Sequence, residues 1–196
     1  MTKIHKLQIE PMTAAGFAPF GELWEAPEQY GDQRIMSPTG YTHDGRTTVH
    51  VIWQPHAGFR FGELERHFGV TQSFVQLSGS PAVVCAAAPS PTDHPSDLPD
   101  PAEVHAFLID PAKAYSFKRG TWHSLNRYPL RPPGASFLIL NSDPNPTQIV
   151  NYETSTSTIY RDLGSAKEVE IIDHEGLSSV VFEITVIQHP QIGAIR

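Results

Sequence analysis

The 196-residue sequence predicts an all-β protein, built as an antiparallel sandwich or barrel. Its 18 prolines and 14 glycines punctuate the chain without a repeat period. Short apolar runs rich in Val, Ile and aromatic residues lie between them, as expected for strands bounded by turn formers. These runs are VHVIWQ, TQSFVQL, PAVVCAAA, VHAFLI, AYSFK, ASFLILN and VVFEITVIQ.

Helix signals are few. A short helix is expected within residues 11–20, where Thr13 is a suitable N-cap, and a second helical turn at residues 163–167. A strand is expected at Gly21–Trp24. The proline-rich segment 89–101 and the segment PLRPPG at 129–134 are predicted to be surface connections between strands.

We expect one domain spanning residues 1–196, with the barrel body at about 46–142 and a C-terminal extension at about 150–196. The extension contains two strand-like pieces, KEVEII and SVVFEITVI. They either complete the sheet or reach a neighbouring subunit, and the sequence leaves both arrangements open.

Composition excludes several classes of partner. The formal net charge is −7 and no basic cluster exceeds two residues, so no nucleic-acid partner is predicted. No apolar run is long enough for a membrane span and the amino terminus has no apolar leader, so the protein is predicted to be soluble and cytoplasmic. The single cysteine, Cys85, is expected to be a buried thiol. A small anionic substrate remains compatible with this charge, because only a few local cations are needed to bind it.

The stretch GELERHFGVTQSFVQLSG at residues 62–79 contains the main candidates for catalytic or metal-binding side chains. On a strand, alternate side chains share a face, so Glu63, Glu65 and His67 lie together. In an open sheet that face is simply solvated. In a closed barrel it lines an interior pocket.

The spacing favours the barrel. Glu65-x-His67, followed by Gln72 and Gly79, resembles the first motif of cupin-type barrels, His-x-His-x₄-acid-x₆-Gly. KRGTWH at 118–123 resembles the second, Pro-x-Gly-x-x-His. The resemblance implies a cupin-like double-stranded β-helix barrel with a short N-terminal helix and few other helices.

Two imidazoles and one carboxylate suit a divalent transition metal, and Glu65, His67 and His123 offer that set. Glu65 stands where the cupin motif has its first histidine, and Gln72 where it has its acid. Metal binding and metal-free acid–base chemistry are therefore both open, and no organic cofactor is predicted.

A more specific resemblance rests on FAPFGELWE, ELERHFGVTQSFVQLSG, AVVCAAA, PDPAEVHAFLI and YSFKRGTWHSL, which occur in that order over residues 17–140. These landmarks resemble those of the ureidoglycolate lyase family, formerly called ureidoglycolate hydrolase. The resemblance implies cleavage of (S)-ureidoglycolate to glyoxylate and urea in allantoin (purine) degradation. It also implies a homodimer and, in some members, assistance by nickel or another divalent metal.

That reaction needs a base for the substrate hydroxyl and an acid for the leaving nitrogen. His67 or His123 is the expected base. Glu65 either orients His67 or, if burial raises its pKa, donates the proton. Glu63 is a further candidate proton handler.

Substrate binding is assigned to Arg119 and Lys118 for the carboxylate and to Gln72 for the urea end. Alternation places Arg119 on the face of His123 unless Gly120 breaks the register, and it places Arg66 on the face opposite His67. Two alternative functions remain: a cupin-fold small-molecule binder without catalysis, or an enzyme for another small hydroxy acid or ureide.

Overall fold

A computed structural model describes residues 2–26, 31–165 and 167–186. It is nearly all β, with 51% strand and 4% helix, and its larger sheet curls strongly into half of a barrel. The predicted all-β barrel class is therefore confirmed. None of the described helices is long and apolar enough to cross a membrane. The proposed boundaries of a single domain stay a prediction.

Two sheets form the described part of the chain. The smaller has, in spatial order, β2 (Gly21–Trp24), β9 (Ala114–Phe117), β6 (Ser73–Gly79), β12 (Gly134–Asp143) and β3 (Arg46–Pro55). The larger runs in the order β15 (Lys167–Asp173), β14 (Thr156–Asp162), β13 (Thr147–Asn151), β5 (Glu63–His67), β10 (Trp122–Ser124), β7 (Ala82–Ala87), β8 (His105–Leu108), β1 (Lys3–Pro11), β16 (Val180–Thr185) and β4 (Arg60–Phe61), with β11 (Tyr128–Pro129) also paired to β7. Pairing is antiparallel except that β1 runs parallel to both β8 and β16, which differs from the purely antiparallel prediction.

The C-terminal extension completes the larger sheet within the same chain. β13 pairs with β5, β14 and β15 continue outward from it, and β16 pairs with β1. Of the two arrangements left open by the sequence, the described residues show the first.

The N-terminal helix α1 (Ala14–Phe17) forms where expected, and Thr13 Oγ1 accepts a hydrogen bond of 3.1 Å from the Gly16 amide. Phe17 anchors the helix in the core. The prediction of a second helical turn at 163–167 is wrong. Residues 163–165 form the tight turn between β14 and β15, because Asp162 accepts from the Gly164 amide and holds the turn closed.

Alternation along β7 separates two cores on the two faces of the larger sheet. Val83 and Cys85 belong to a cluster covered by β1 and β16, whereas Val84 and Ala86 face Phe74, Phe117 and Phe137 between the two sheets. Burial raises the pKa of the Cys85 thiol, so this free cysteine is an unreactive core residue, as predicted.

Arg66 fastens the loop 89–101 to the sheet. Its side chain is fully buried, lies on the face opposite His67, and is sandwiched between the rings of Phe68 and Trp122 at 4.8 and 4.5 Å. The guanidinium donates to Gln148 Oε1 and to three loop carbonyl oxygens, those of Thr92, Asp93 and His94. This Arg is a structural residue.

Candidate active site

Glu65, His67 and His123 come together between the two sheets. β5 alternates, so Glu65 and His67 point the same way, and the pairing of β10 with β5 sets His123 directly opposite Glu65. Glu65 Oε1 lies 3.8 Å from His67 Nε2 and 3.6 Å from His123 Nδ1. All three side chains are buried, and one ligand atom from each lies within 4.8 Å of the others.

The hydrogen bonds of His67 fix its tautomer. Thr147 has one hydroxyl proton, which it donates to the Asn145 carbonyl oxygen at 3.0 Å. Its Oγ1 therefore accepts from His67 Nδ1 at 2.8 Å, so Nδ1 carries the proton. His67 Nε2 is buried without a hydrogen-bond partner. In the neutral ring this nitrogen presents a free lone pair.

His123 is held in the same way by different groups. Its ring stacks on Phe117 with the centroids 4.4 Å apart, and its Nδ1 lies 3.2 Å from the Ser124 carbonyl oxygen. A carbonyl can only accept, so Nδ1 carries the proton and Nε2 is left with its lone pair. His123 Nε2 also has no partner, and the two imidazole centroids are 5.2 Å apart.

Burial and neighbouring charges leave His123 neutral and Glu65 ionised. Burial lowers the pKa of His123 to about 3, a shift that the charge of Glu65 only partly opposes, so this imidazole is neutral at physiological pH. For Glu65, burial alone would raise the pKa, but His67, His123 and Arg127 together lower it. Glu65 is therefore a carboxylate, which favours its predicted role in orienting His67 over that of proton donor.

This donor set fits a divalent transition metal. Two imidazoles with unpaired nitrogens and one anionic carboxylate converge in one buried cluster, and Thr147 accepts a hydrogen bond from one imidazole as outer partners of metal-binding histidines do. The predicted ligands Glu65, His67 and His123 are thus brought together; the metal itself stays a proposal.

More polar groups face the same interior. Gln72, Phe74 and Gln76 alternate inward at and along β6, and both glutamines are buried with an unpaired side-chain oxygen. Arg127, which the sequence did not single out, lies over Phe74 with its Cζ 3.5 Å from the ring centroid. It lies beyond the end of β10, where strand alternation no longer predicts direction.

The other predicted site residues lie elsewhere. Glu63 is half-buried and accepts a 2.9 Å hydrogen bond from Asn151 Nδ2. Arg119 is partly exposed and forms an ion pair with Asp44 at 2.8 Å. Lys118 is exposed and its Nζ donates to the Ala18 carbonyl oxygen at 2.6 Å. The structure does not bring these three charged groups into contact with the acid–histidine cluster, and their roles stay predictions.

The fold and this cluster define a β-barrel protein with an interior acid–imidazole site, and comparisons with known proteins give the class a name. The family model described as ureidoglycolate lyase matches residues 44–158. That span contains both β5 and β10, the two strands that carry Glu65, His67 and His123. The chain belongs to the ureidoglycolate lyase family.

Similarity to individual proteins supports the same family. The chain is 31% identical over 132 residues to a ureidoglycolate lyase of Azotobacter vinelandii, covering 60% of this chain and 74% of the relative. It is 32% identical over 133 residues to one of Pseudomonas paraeruginosa, covering 60% and 73%. It is 28% identical over 146 residues to one of Rhodobacter capsulatus, covering 67% and 82%.

Proposed function

We propose that this protein is a ureidoglycolate lyase that cleaves (S)-ureidoglycolate to glyoxylate and urea. Membership of the family supports the reaction. The observation that carries the assignment to this site is the buried cluster of two imidazoles and the anionic Glu65, in which the Nε2 atom of each imidazole is unpaired.

The chemistry needs no nucleophile. The central carbon of the substrate bears a hydroxyl, a carboxylate and a urea nitrogen, so loss of the hydroxyl proton forms the aldehyde carbonyl as the C–N bond breaks. The electron pair of that bond leaves on the urea nitrogen, which takes up a proton. Atoms balance without water.

His67 or His123 removes the hydroxyl proton through its Nε2 lone pair, and the resulting imidazolium returns that proton to urea. Because burial lowers the pKa of His123 to about 3, His67 is favoured as this base and His123 as a ligand of the metal. Glu65 stabilises the imidazolium across 3.8 or 3.6 Å. Gln72 offers its unpaired Oε1 to the N–H groups of the urea end. Burial excludes bulk water from these transfers and strengthens the electrostatic effect of Glu65.

A divalent metal, nickel or a similar ion, would be held by Glu65, His67 and His123. When bound, such an ion polarises the substrate hydroxyl and lowers its pKa. The proton would then be taken by another group, and Glu63 and Lys118 are the predicted candidates.

The test of this function is glyoxylate release from racemic ureidoglycolate by the purified protein, before and after treatment with a chelator. We expect release well above the uncatalysed rate and consumption of half the racemate. Loss of activity on chelation, restored by one divalent ion, supports the metal; unchanged activity supports acid–base chemistry by the imidazoles alone. No release above background contradicts the proposed function.

The wider setting belongs to the same proposal: a cytoplasmic enzyme that acts in allantoin degradation as a homodimer. The outer face of β3 supports a second copy as partner. Val49, Val51 and Trp53 alternate along it and are 59, 66 and 53% exposed. Among the described strands β3 also ends its sheet, and the side of its backbone away from β12 could pair antiparallel with the same strand of another copy.

Val51→Glu is expected to convert the dimer into a monomer, because it places two carboxylates against each other in a two-fold apolar interface. Light scattering coupled to size exclusion measures the mass. The matched control is Ile171→Glu, since Ile171 is 70% exposed on β15, at the end of the other sheet. If the Val51→Glu protein stays dimeric while the Ile171→Glu protein dissociates, the dimer interface lies on the larger sheet and the proposed interface on β3 is wrong.

A further inference from the structure

Building on the proposed lyase function, we propose that Arg127 is the residue that binds the carboxylate of the substrate inside the barrel. It replaces in this role the exposed cations of the KRGTWH motif. The proposal rests on how Arg127 is held, on the lack of an ion pair to it within the described part of the chain, and on where it lies.

The guanidinium is fixed in place. Arg127 is 3% exposed, its Cζ lies over the Phe74 ring, and its Nε donates to the Tyr115 hydroxyl at 3.3 Å. Its Nη1 donates to the Leu125 carbonyl oxygen at 3.2 Å, and its backbone N–H donates to Gln54 Oε1 at 3.2 Å. Burial raises the pKa of Tyr115, so this phenol is neutral and does not neutralise the charge.

No acid among the described residues forms an ion pair with this cation. Among the described residues, the ion pairs of arginine are those of Arg46, Arg60, Arg119 and Arg161, all with exposed or half-exposed side chains, and Arg127 forms none. Its Nη2 is buried and has no acceptor. A buried charge and an unsatisfied donor both cost free energy, and an anionic ligand would remove both costs.

Arg127 lies in the same interior as the acid–histidine cluster, with the Phe74 and Phe117 rings between it and His123. The Phe74 ring beneath it lies 6.1 Å from Phe117, and Phe117 stacks on His123. The charge of Arg127 contributes to the lowered pKa values of both Glu65 and His123, which places it within electrostatic range of the reacting groups.

The chemistry that fits is a small monocarboxylate. With Nε and Nη1 already engaged, Nη2 offers two N–H donors to a carboxylate oxygen, a charge-assisted hydrogen bond. Gln72 and Gln76, on either side of Phe74 along β6, leave their unpaired oxygens for N–H groups rather than for an anion.

The experiment compares Arg127→Gln with Arg161→Gln, which removes a cation whose side chain is 82% exposed. Isothermal titration measures the affinity of each folded variant for glyoxylate and for urea, and steady-state kinetics gives kcat and KM for ureidoglycolate. We expect Arg127→Gln to weaken glyoxylate binding by about 10- to 100-fold and to raise KM more than it lowers kcat, with urea affinity unchanged. Arg161→Gln is expected to bind glyoxylate as the wild type does.

Equal glyoxylate affinity of Arg127→Gln and wild type would overturn the inference. If the variant does not fold, a crystal structure of the wild-type protein with glyoxylate decides: a carboxylate oxygen within hydrogen-bond distance of Nη2 supports the inference, and a carboxylate bound at Arg119 or Lys118 overturns it. A wild type that binds glyoxylate through Arg127 but does not cleave ureidoglycolate would contradict the proposed function alone.

Discussion

Replacement of His123 by alanine is expected to lower kcat/KM for ureidoglycolate by at least about 100-fold and by up to about 10,000-fold, because it removes a neutral imidazole at the centre of the site. His123 lies across the strand pair from Glu65 and holds an unpaired Nε2. As base or as metal ligand, that nitrogen has no substitute on β10. The measurement is steady-state glyoxylate release by the folded variant, with circular dichroism and thermal unfolding as checks on the fold.

The matched control is His105→Ala. His105 has a side chain that is 40% exposed and binds Glu10 at the surface, so its loss should leave kcat/KM within about twofold of wild type. A His123→Ala protein that retains the full lyase rate would remove this residue from the mechanism and leave only a binding role for the cluster.

Arg66→Ala is expected to reduce the free energy of unfolding by about 3 kcal/mol, the combined cost of leaving buried acceptors without a donor and of opening a cavity. The change leaves Gln148 and the loop carbonyls without their donor and opens a cavity between Phe68 and Trp122. Urea denaturation followed by tryptophan fluorescence measures the loss. The loop 89–101 should also become more susceptible to proteolysis, since three of its carbonyl oxygens bind this one side chain.

Arg60→Ala is the control that removes an arginine charge without removing a buried side chain. Arg60 pairs with Glu183 at 2.9 Å, but its side chain is 61% exposed, so the loss should not exceed about 1 kcal/mol. If the two variants lose similar amounts of unfolding free energy, Arg66 contributes no more than an exposed ion pair does. The loop 89–101 would then be held to the sheet by other contacts.

The strand that carries the site could be predicted from the sequence because its geometry is regular. A period of two places Glu65 and His67 on one face and Arg66 on the other, and the structure agrees. The same alternation rule gave a wrong direction for Arg119 in the KRGTWH motif at 118–123. Gly120 adopts a positive φ of 78°, which breaks the register between His123 and Arg119. Arg119 therefore pairs with Asp44 at the surface.

Arg127 illustrates a different limit. It follows β10 in an irregular segment, so neither strand period nor motif spacing predicts the direction of its side chain. Its inward position depends on Phe74 and Tyr115, which are more than ten residues distant in sequence and meet it only in the folded barrel. Likewise, the tautomers of the two imidazoles depend on Thr147 and on a backbone carbonyl, and no local pattern identifies those partners.

The most direct test of the lyase assignment is the product stoichiometry of the wild-type protein. Glyoxylate, urea and ammonia are measured together as (S)-ureidoglycolate is consumed. The proposed mechanism breaks only the carbinol C–N bond, so it predicts one urea for each glyoxylate and no ammonia. Release of ammonia in place of urea would show that a urea C–N bond is hydrolysed instead, and would contradict a lyase at Glu65, His67 and His123.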